Sequence, residues 1–365
     1  MAIWLLLTAI PVMADGSEGM DTLSVKTDTV TMSKELSTLR RTIRGLDQVH
    51  KEYIEPQHFE FTVMMQMTRT YESFILDSDK QSILLAPDGL TKVGPYFGWR
   101  WVFFGHTFDL SHLGFGSNGI RKEFDLSIYT SQVGVDLHYR RTGKDYKVRY
   151  VELGDGIESD EYAALPFDGI NVGITGVNAY YIFNHGRFSY PAAFSQSTCQ
   201  KVSCGSWMAG AGYMRNTLDF DFDKLQELFN RHARKGQEVK LDSSLMFSHI
   251  KYTDYSLSGG YAYNWVFAKD WLFCASGQVA LAYKKSNGDM SNEKKGFDFT
   301  KMNMDMLGRF GLVYNNTRWY AGLSAIVRTN NYQTSRFTAS NIFGSFNAYI
   351  GYNFMLKKKY KKGNG

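Results

Sequence analysis

Histidines set beside carboxylates or hydroxyls are the residues of this chain best suited to catalysis. His106 stands shortly before Ser111, and His138 is next but one to Asp136, pairings from which a general base and its nucleophile or orienter can be assembled. Alternate residues of a strand also share one face, so His138 and Asp136 equally describe an ordinary hydrogen-bonded wall pair. No nucleophile, base and orienter can be placed together from the sequence, and no catalytic residue is assigned. A larger set carries mixed charge: Asp125, Asp136, His138, Arg140, Lys301, Asn303, Asp305, Arg309, Arg318 and Arg328 fall on the polar faces of period-two segments. Facing Asp and Arg side chains can pair and plug an interior, because an unpaired charge in a low-dielectric lumen costs several kcal/mol. The other reading is a narrow hydrated pore with an arginine rim, for which a wall of twelve strands leaves limited room.

The remaining chemistry-bearing features are weaker. Residues 152–161 gather Glu152, Asp155, Glu158, Asp160 and Glu161 without the ligand order of a calcium loop, and read as a solvated outer loop. GSNG at 116–119, GAG at 210–212 and GG at 259–260 lack the strand-to-helix setting of a phosphate cradle and read as strand glycines. Of Cys199, Cys204 and Cys274, only Cys199 and Cys204 could form a disulfide, flanking a hairpin tip; free thiols are the favoured state, and the spacing suits neither a redox motif nor a metal site. No cofactor and no metal are expected.

These residues need a wall to hold them, and the alternation supplies one. From Leu257 to Phe267, Leu257, Tyr261, Tyr263, Trp265 and Phe267 share one face and Ser256, Ser258, Ala262 and Asn264 the other, a strand with one greasy side. The split recurs over 271–284, 299–314 and 342–354. The segments outrun the usual 5–6 residues of a soluble strand and suit the 9–11 residues of a tilted bilayer crossing, with aromatics crowding their ends as interfacial girdles do. The expected fold is therefore all-β, an antiparallel transmembrane β-barrel.

Composition agrees. Hydrophobic content of 44% and the lack of a long apolar run argue against helical membrane spans. The net charge of +5 is spread along the chain except for the tail Lys357, Lys358, Lys359, Lys361 and Lys362, so nothing calls for nucleic acid. Residues 1–14 read as a signal peptide. Residues 15–58 read as a periplasmic arm whose short helix runs from Ser33 to about His50, with Leu36, Leu39, Ile43 and Leu46 on one face. Residues 59–354 read as the barrel and 355–365 as a basic tail.

Strand segments are expected from Phe59, then near 81–86, 92–109, 122–130, 132–142, 169–183, 203–217, 241–251, 256–267, 271–284, 298–314, 318–329 and 342–354. Thirteen is odd, whereas single-chain barrels with both ends in the periplasm carry an even number, so twelve strands are expected, with fourteen as the runner-up. Ala268 to Asp270 and Asn315 to Thr317 read as tight turns, and 285–297 and 330–341 as long outer loops, which puts both termini on the periplasmic side of a bacterial outer membrane.

Several long segments then resemble, in the same order, the barrel family catalogued as domain of unknown function 4421, from outer membranes of Gram-negative bacteria: KEYIEP at 51–56, PYFGWRWVFFGHTFDL at 95–110, RKEFDLSIYTSQVGVDLHYRR at 121–141, YYIFNHGRFSYPAAFSQSTCQKVSCGSW at 180–207 and GYAYNWVF at 260–267. The likeness covers residues 47–355. It implies location and architecture but no catalytic residue or ligand, and the arm before Glu52 and the basic tail depart from it. The function expected is an integral outer-membrane barrel, acting as a narrow conduit or an envelope scaffold, with a wall hydrolase acting on lipid or peptide as the alternative. Expected partners are outer-membrane lipid and lipopolysaccharide and the barrel-assembly machinery.

Overall fold

A computed structural model describes residues 49–99, 102–105, 108–109, 122–142, 145–154, 162–233, 239–286, 302–333 and 337–361. The segment expected to be a signal peptide and nearly all of the expected arm, with the helix expected there, lie outside them, as do His106, Ser111, Lys301, the GSNG motif and most of the acidic segment.

Strands run over Ile54–Pro56 (β1), Phe59–Asp77 (β2), Ser82–Pro87 (β3), Leu90–Trp99 (β4), Val102–Gly105 (β5), Phe108–Asp109 (β6), Lys122–Tyr129 (β7), Val133–Arg141 (β8) and Tyr146–Glu152 (β9). They continue over Pro166–Phe167 (β10), Ile170–Ile182 (β11), Thr198–Gln200 (β12), Cys204–Phe220 (β13), His249–Ala268 (β14), Trp271–Ser286 (β15), Met302–Asn315 (β16), Trp319–Gln333 (β17) and Thr338–Leu356 (β18). Sixteen of these form one sheet. Its first and last long strands, β2 and β18, pair antiparallel from Phe59↔Leu356 to Asp77↔Thr338, so the two ends of the chain are zipped together and neither is left as an edge.

Two pairs of strands act as single interrupted crossings. β3 and β4 pair in succession with β2, and β5 and β6 with β4. Among the described residues the wall is then β2, β3/β4, β5/β6, β7, β8, β11 and β13 to β18, which is the twelve-strand expectation. β9 and β10 stand beyond it, where β9 pairs with β3. The individual segments need correction. Residues 92–109 are not one strand, because the chain doubles back and Val102 pairs with Trp99. Residues 241–251 are not a separate strand: a 3-10 turn at Ser243–Leu245 precedes β14, which starts at His249. The connection at 330–341 is not a long loop either, since Gln333 pairs with Thr338. There the strands themselves project, giving lengths of 19 residues in β2 and β18 and 20 in β14, well beyond a bilayer crossing.

The outward face carries an apolar belt. Leu257 is 73% exposed, and Met65, Trp265, Leu281, Met304, Phe310, Trp319 and Ile350 are also open; so much contiguous apolar surface fits contact with lipid rather than water. Inside, the two ends differ. At the end far from Phe59 and Leu356, the inward residues turn apolar, and Leu76, Ile83, Leu85, Val148, Phe220 and Phe343 pack as a core. The helix Phe222–His232 (α2) folds onto it, its N-terminus capped by Asp221 Oδ1, which accepts from Lys224 N at 2.9 Å. Leu225 and Phe229 on its inner face are fully buried, each contributing about 1.5–3 kcal/mol.

At the near end, residues 183–203 fold inward. Ser189 caps the short helix Tyr190–Phe194 (α1), accepting from Ala192 N at 3.2 Å, and Ala192 and Ala193 pack on Leu272, Cys274 and Val313 of the wall. β1 pairs with β12 inside this segment, so the strand leading into the barrel is stitched to the plug.

Gly134 on β8 leaves the space that the ring of Tyr180 fills: a Cβ there would sit 2.2 Å from Tyr180 Cζ. Gly134→Ala is therefore expected to displace that ring and to destabilise the barrel by about 1–3 kcal/mol, read as a lower urea midpoint in detergent micelles. An unchanged midpoint would show that the ring is not held there.

Candidate functional site

The inward positions between the two ends hold charge, and one side chain organises it. Arg309 on β16 is fully buried. Its Nη2 donates to Asp136 Oδ2 on β8, across the lumen. Its Nη1 donates to Tyr180 OH at 2.8 Å and to Tyr129 OH at 3.3 Å. The guanidinium carbon also lies 5.9, 5.2 and 5.7 Å from the ring centres of Tyr129, Tyr180 and Tyr190, an aromatic cage that suits a desolvated cation. Tyr190 comes from the plug, and its hydroxyl donates to Ser276 Oγ at 2.7 Å, so wall and plug share this one guanidinium.

Asp136 serves two cations. Arg328 Nη2 on β17 donates to the same Oδ2 at 3.2 Å, and Ser127 Oγ donates to Oδ1 at 2.6 Å. One buried carboxylate between two buried guanidiniums is stable only while every partner stays in place. A second cluster lies beside it on β7 and β8: Asp125 accepts from Arg140 Nη2 at 2.9 Å and bonds His138 Nδ1 at 2.6 Å. His138 therefore does not pair with Asp136 along its own strand. Its partner is Asp125, directly opposite it in the ladder, where side chains lie closer than the next-but-one residue of the same strand.

A third cluster sits toward the far end. Lys284 Nζ donates to Asn330 Oδ1 at 2.5 Å and lies 3.4 Å from Asp254 Oδ2 and 3.5 Å from Asp305 Oδ2. Asn216 joins it, donating to Asp254 Oδ2 at 3.1 Å and accepting from Asn330 Nδ2 at 3.0 Å. Asn303 is buried one step away on the same inward face of β16.

Of the sequence-derived set, Lys301 lies outside the described residues. Asp125, Asp136, His138, Arg140, Asn303, Asp305, Arg309 and Arg328 face the interior. Arg318 does not: it lies in the exposed turn before β17, its Nε donating to Tyr352 OH at 3.1 Å with the guanidinium 5.6 Å above that ring. Alternation reaches only as far as the strand, and Arg318 precedes it. Asp254, Lys284 and the three cage tyrosines are not in that set. Lys284 already stood on a polar face by parity, and Asp254 shares its parity with Ser256 and Ser258, so that signal was present; nothing in spacing marks Tyr129, Tyr180 and Tyr190 as partners of one arginine.

All three cysteines are free thiols in the structure. Cys199 Sγ meets Asn315 O at 3.6 Å, and Cys204 Sγ meets Arg187 O at 3.2 Å. Burial, with Glu55 nearby, pushes the Cys199 thiol up to about 12. The interior also holds a cavity of about 70 Å³ beside Asn178, Ser256, Ser258, Gln278 and Arg328, room for a few water molecules.

Asp136→Ala is expected to cost about 3–5 kcal/mol, because it strands two guanidiniums that have no solvent. Asp125→Ala should cost clearly less, since the Asp125 side chain is 35% exposed and water can replace it. Urea unfolding in lipid vesicles, followed by tryptophan fluorescence, measures both, and equal losses would contradict this ranking.

Solved structures aligned with the chain include the outer membrane protease OmpT from Escherichia coli, with 8% identity, 82% of this chain and 98% of that chain covered and a TM-score of 0.31. They include the translocator domain of the autotransporter NalP from Neisseria meningitidis, with 8% identity, 90% and 98% covered and a TM-score of 0.31. The outer membrane protein OprG from Pseudomonas aeruginosa aligns with 10% identity, 85% and 99% covered and a TM-score of 0.23. No curated protein matches the sequence. The family described as Domain of unknown function (DUF4421) matches residues 47–354, and this chain, an antiparallel β-barrel, belongs to that family.

Proposed function

We propose that this barrel works as a closed scaffold of the bacterial outer membrane, with both termini on the periplasmic side, and not as a standing conduit. The observation that carries the reading is the filled lumen. An apolar core occupies the far end, two buried ion clusters and the partly exposed Asp125 cluster occupy the middle and an inward-folded segment occupies the near end. Opening a water path would require separating Arg309 from Asp136 or withdrawing Tyr190 from the cage. Removing one partner of a buried pair costs about 3–5 kcal/mol, enough to keep the open form rare.

The orientation rests on the connections. The near end carries the short turns after β7, β14 and β16, while the longer connections after β8, β13 and β15 leave from the far end beside the shorter ones after β2 and β17, and barrels of this kind keep short turns in the periplasm and longer loops outside. The inward segment 183–203 is the long exception, and it is spent on the lumen. A wall hydrolase draws no support from His138. Its Nδ1 is committed to Asp125, its Nε2 is buried, and among the described residues no hydroxyl is hydrogen-bonded to it.

Single-channel recording in a planar bilayer tests the reading, with insertion verified by protease protection in matched vesicles. Inserted protein is expected to be electrically silent. Unitary conductance steps that scale with added protein would contradict the scaffold and restore the conduit.

A further inference from the structure

We propose that Arg69, Lys147 and Arg149 form a clamp for the phosphate monoester of a membrane glycolipid headgroup, at the outer rim of the apolar belt; this rests on the outer-membrane orientation above. Along β2 the outward positions run Phe61, Val63, Met65, Met67 and then Arg69, with Val63, Met65 and Met67 being 43%, 49% and 37% exposed. From Phe61 to Arg69 is roughly 26 Å of strand, or about 20 Å of height at a tilt near 40°, close to the ~25 Å apolar band of such barrels. Arg69 is thus the first charge above the belt, where headgroups lie.

Two more cations meet it from β9. Asp88, in the break between β3 and β4, receives Lys147 Nζ on Oδ2 and Arg149 Nη2 on Oδ1, both at 2.6 Å, and Arg149 Nε also donates to Ala86 O at 3.3 Å. The carboxylate fixes the two cations side by side while a third of each side chain stays open. Arg69 lies over the next residue: a Cβ on Gly89 would be 3.1 Å from its Nε and 3.3 Å from its Nη2. The lack of a side chain at Gly89 lets the guanidinium approach the same turn, and among the described residues no carboxylate pairs with it.

Two cations therefore hold the Asp88 carboxylate and a third lies over the neighbouring Gly89. Two of the three are guanidiniums, which take phosphate oxygens in a fork, and the open apolar side chains just below offer a surface for acyl chains. That adjacency favours a lipid phosphate over a free one. Asp88 competes for the same donors, which gives the site a distinctive response: removing the carboxylate frees both β9 cations.

Native mass spectrometry of the full-length protein in detergent, titrated with bis-phosphorylated lipid A, tests the clamp. The protein is expected to retain one lipid, R69Q/K147Q/R149Q to need about tenfold more lipid, and Asp88→Asn to retain lipid at lower concentration. Lys285→Gln, an exposed cation elsewhere on the barrel, should behave as the unmodified protein, and dephosphorylated lipid A should not be retained. Equal retention by the triple variant, or weaker retention by Asp88→Asn, would overturn the site. Displacement of the lipid by inorganic phosphate at matching concentration would overturn the lipid as the ligand. Failure of the orientation itself would be seen separately, as protease cleavage of the far-end connections from the periplasmic side in cells.

Discussion

The contact between Arg309 and Asp136 constrains everything around it. It joins β16 to β8 across the lumen, and neither group has solvent to fall back on. The guanidinium's two terminal nitrogens find acceptors and its face finds rings on separate elements, from Tyr129 at the end of β7, Tyr180 on β11 and Tyr190 on the plug, while its Nε is buried without a hydrogen-bond partner. Gly134 is small because Tyr180 must lie over it. Arg328 shares the same carboxylate, which ties β17 into the cluster. The charge is costly to bury, and its value is in specificity of arrangement more than in net stability: with these partners the plug has one seat.

The two ends close around that centre by different physics. The far end uses the hydrophobic effect, with projecting strands and α2 enclosing a core like that of a soluble domain. The near end uses hydrogen bonds. Asn264 Nδ2 donates to Ser189 O at 2.8 Å, Gln196 Nε2 donates to Tyr349 OH at 2.6 Å, and Gln200 Nε2 donates to Arg187 O at 2.7 Å. Polar pins suit a segment that passes a wall of polar inward residues, where an apolar plug would leave wall groups unsatisfied.

Much of this was legible in the sequence because strand parity is a strict rule. Alternation places the apolar residues of β14, β15, β16 and β18 on one face, and Asp136, Arg140, Arg309 and Arg328, on the other parity, are buried. Parity fails at strand ends, which is why Arg318 was placed inside and why 330–341 was read as loop. Its polar residues, Asn330 and Asn341, looked like a solvated connection, yet both are buried where β17 and β18 project. Helix α2 left a signal that was passed over: Asp221 as a cap, then Phe222, Leu225 and Phe229 at helical spacing. Pairing between strands was not legible at all. Whether His138 meets Asp136 or Asp125 depends on the β7–β8 register, and the gathering of three tyrosines around one arginine depends on contacts far apart in the chain.

Cys274 offers the most direct test of a filled lumen. Its side chain points inward, fully buried beneath the plug beside Ala192 and Ala193. In a C199S/C204S background, the folded protein in lipid vesicles is treated with a small charged thiosulfonate reagent and its mass is followed over time. A closed interior predicts no modification of Cys274 until the protein is unfolded. Rapid modification in the folded barrel would mean that water and solute reach the centre of the lumen, and the account given for Arg309 and its partners would be wrong.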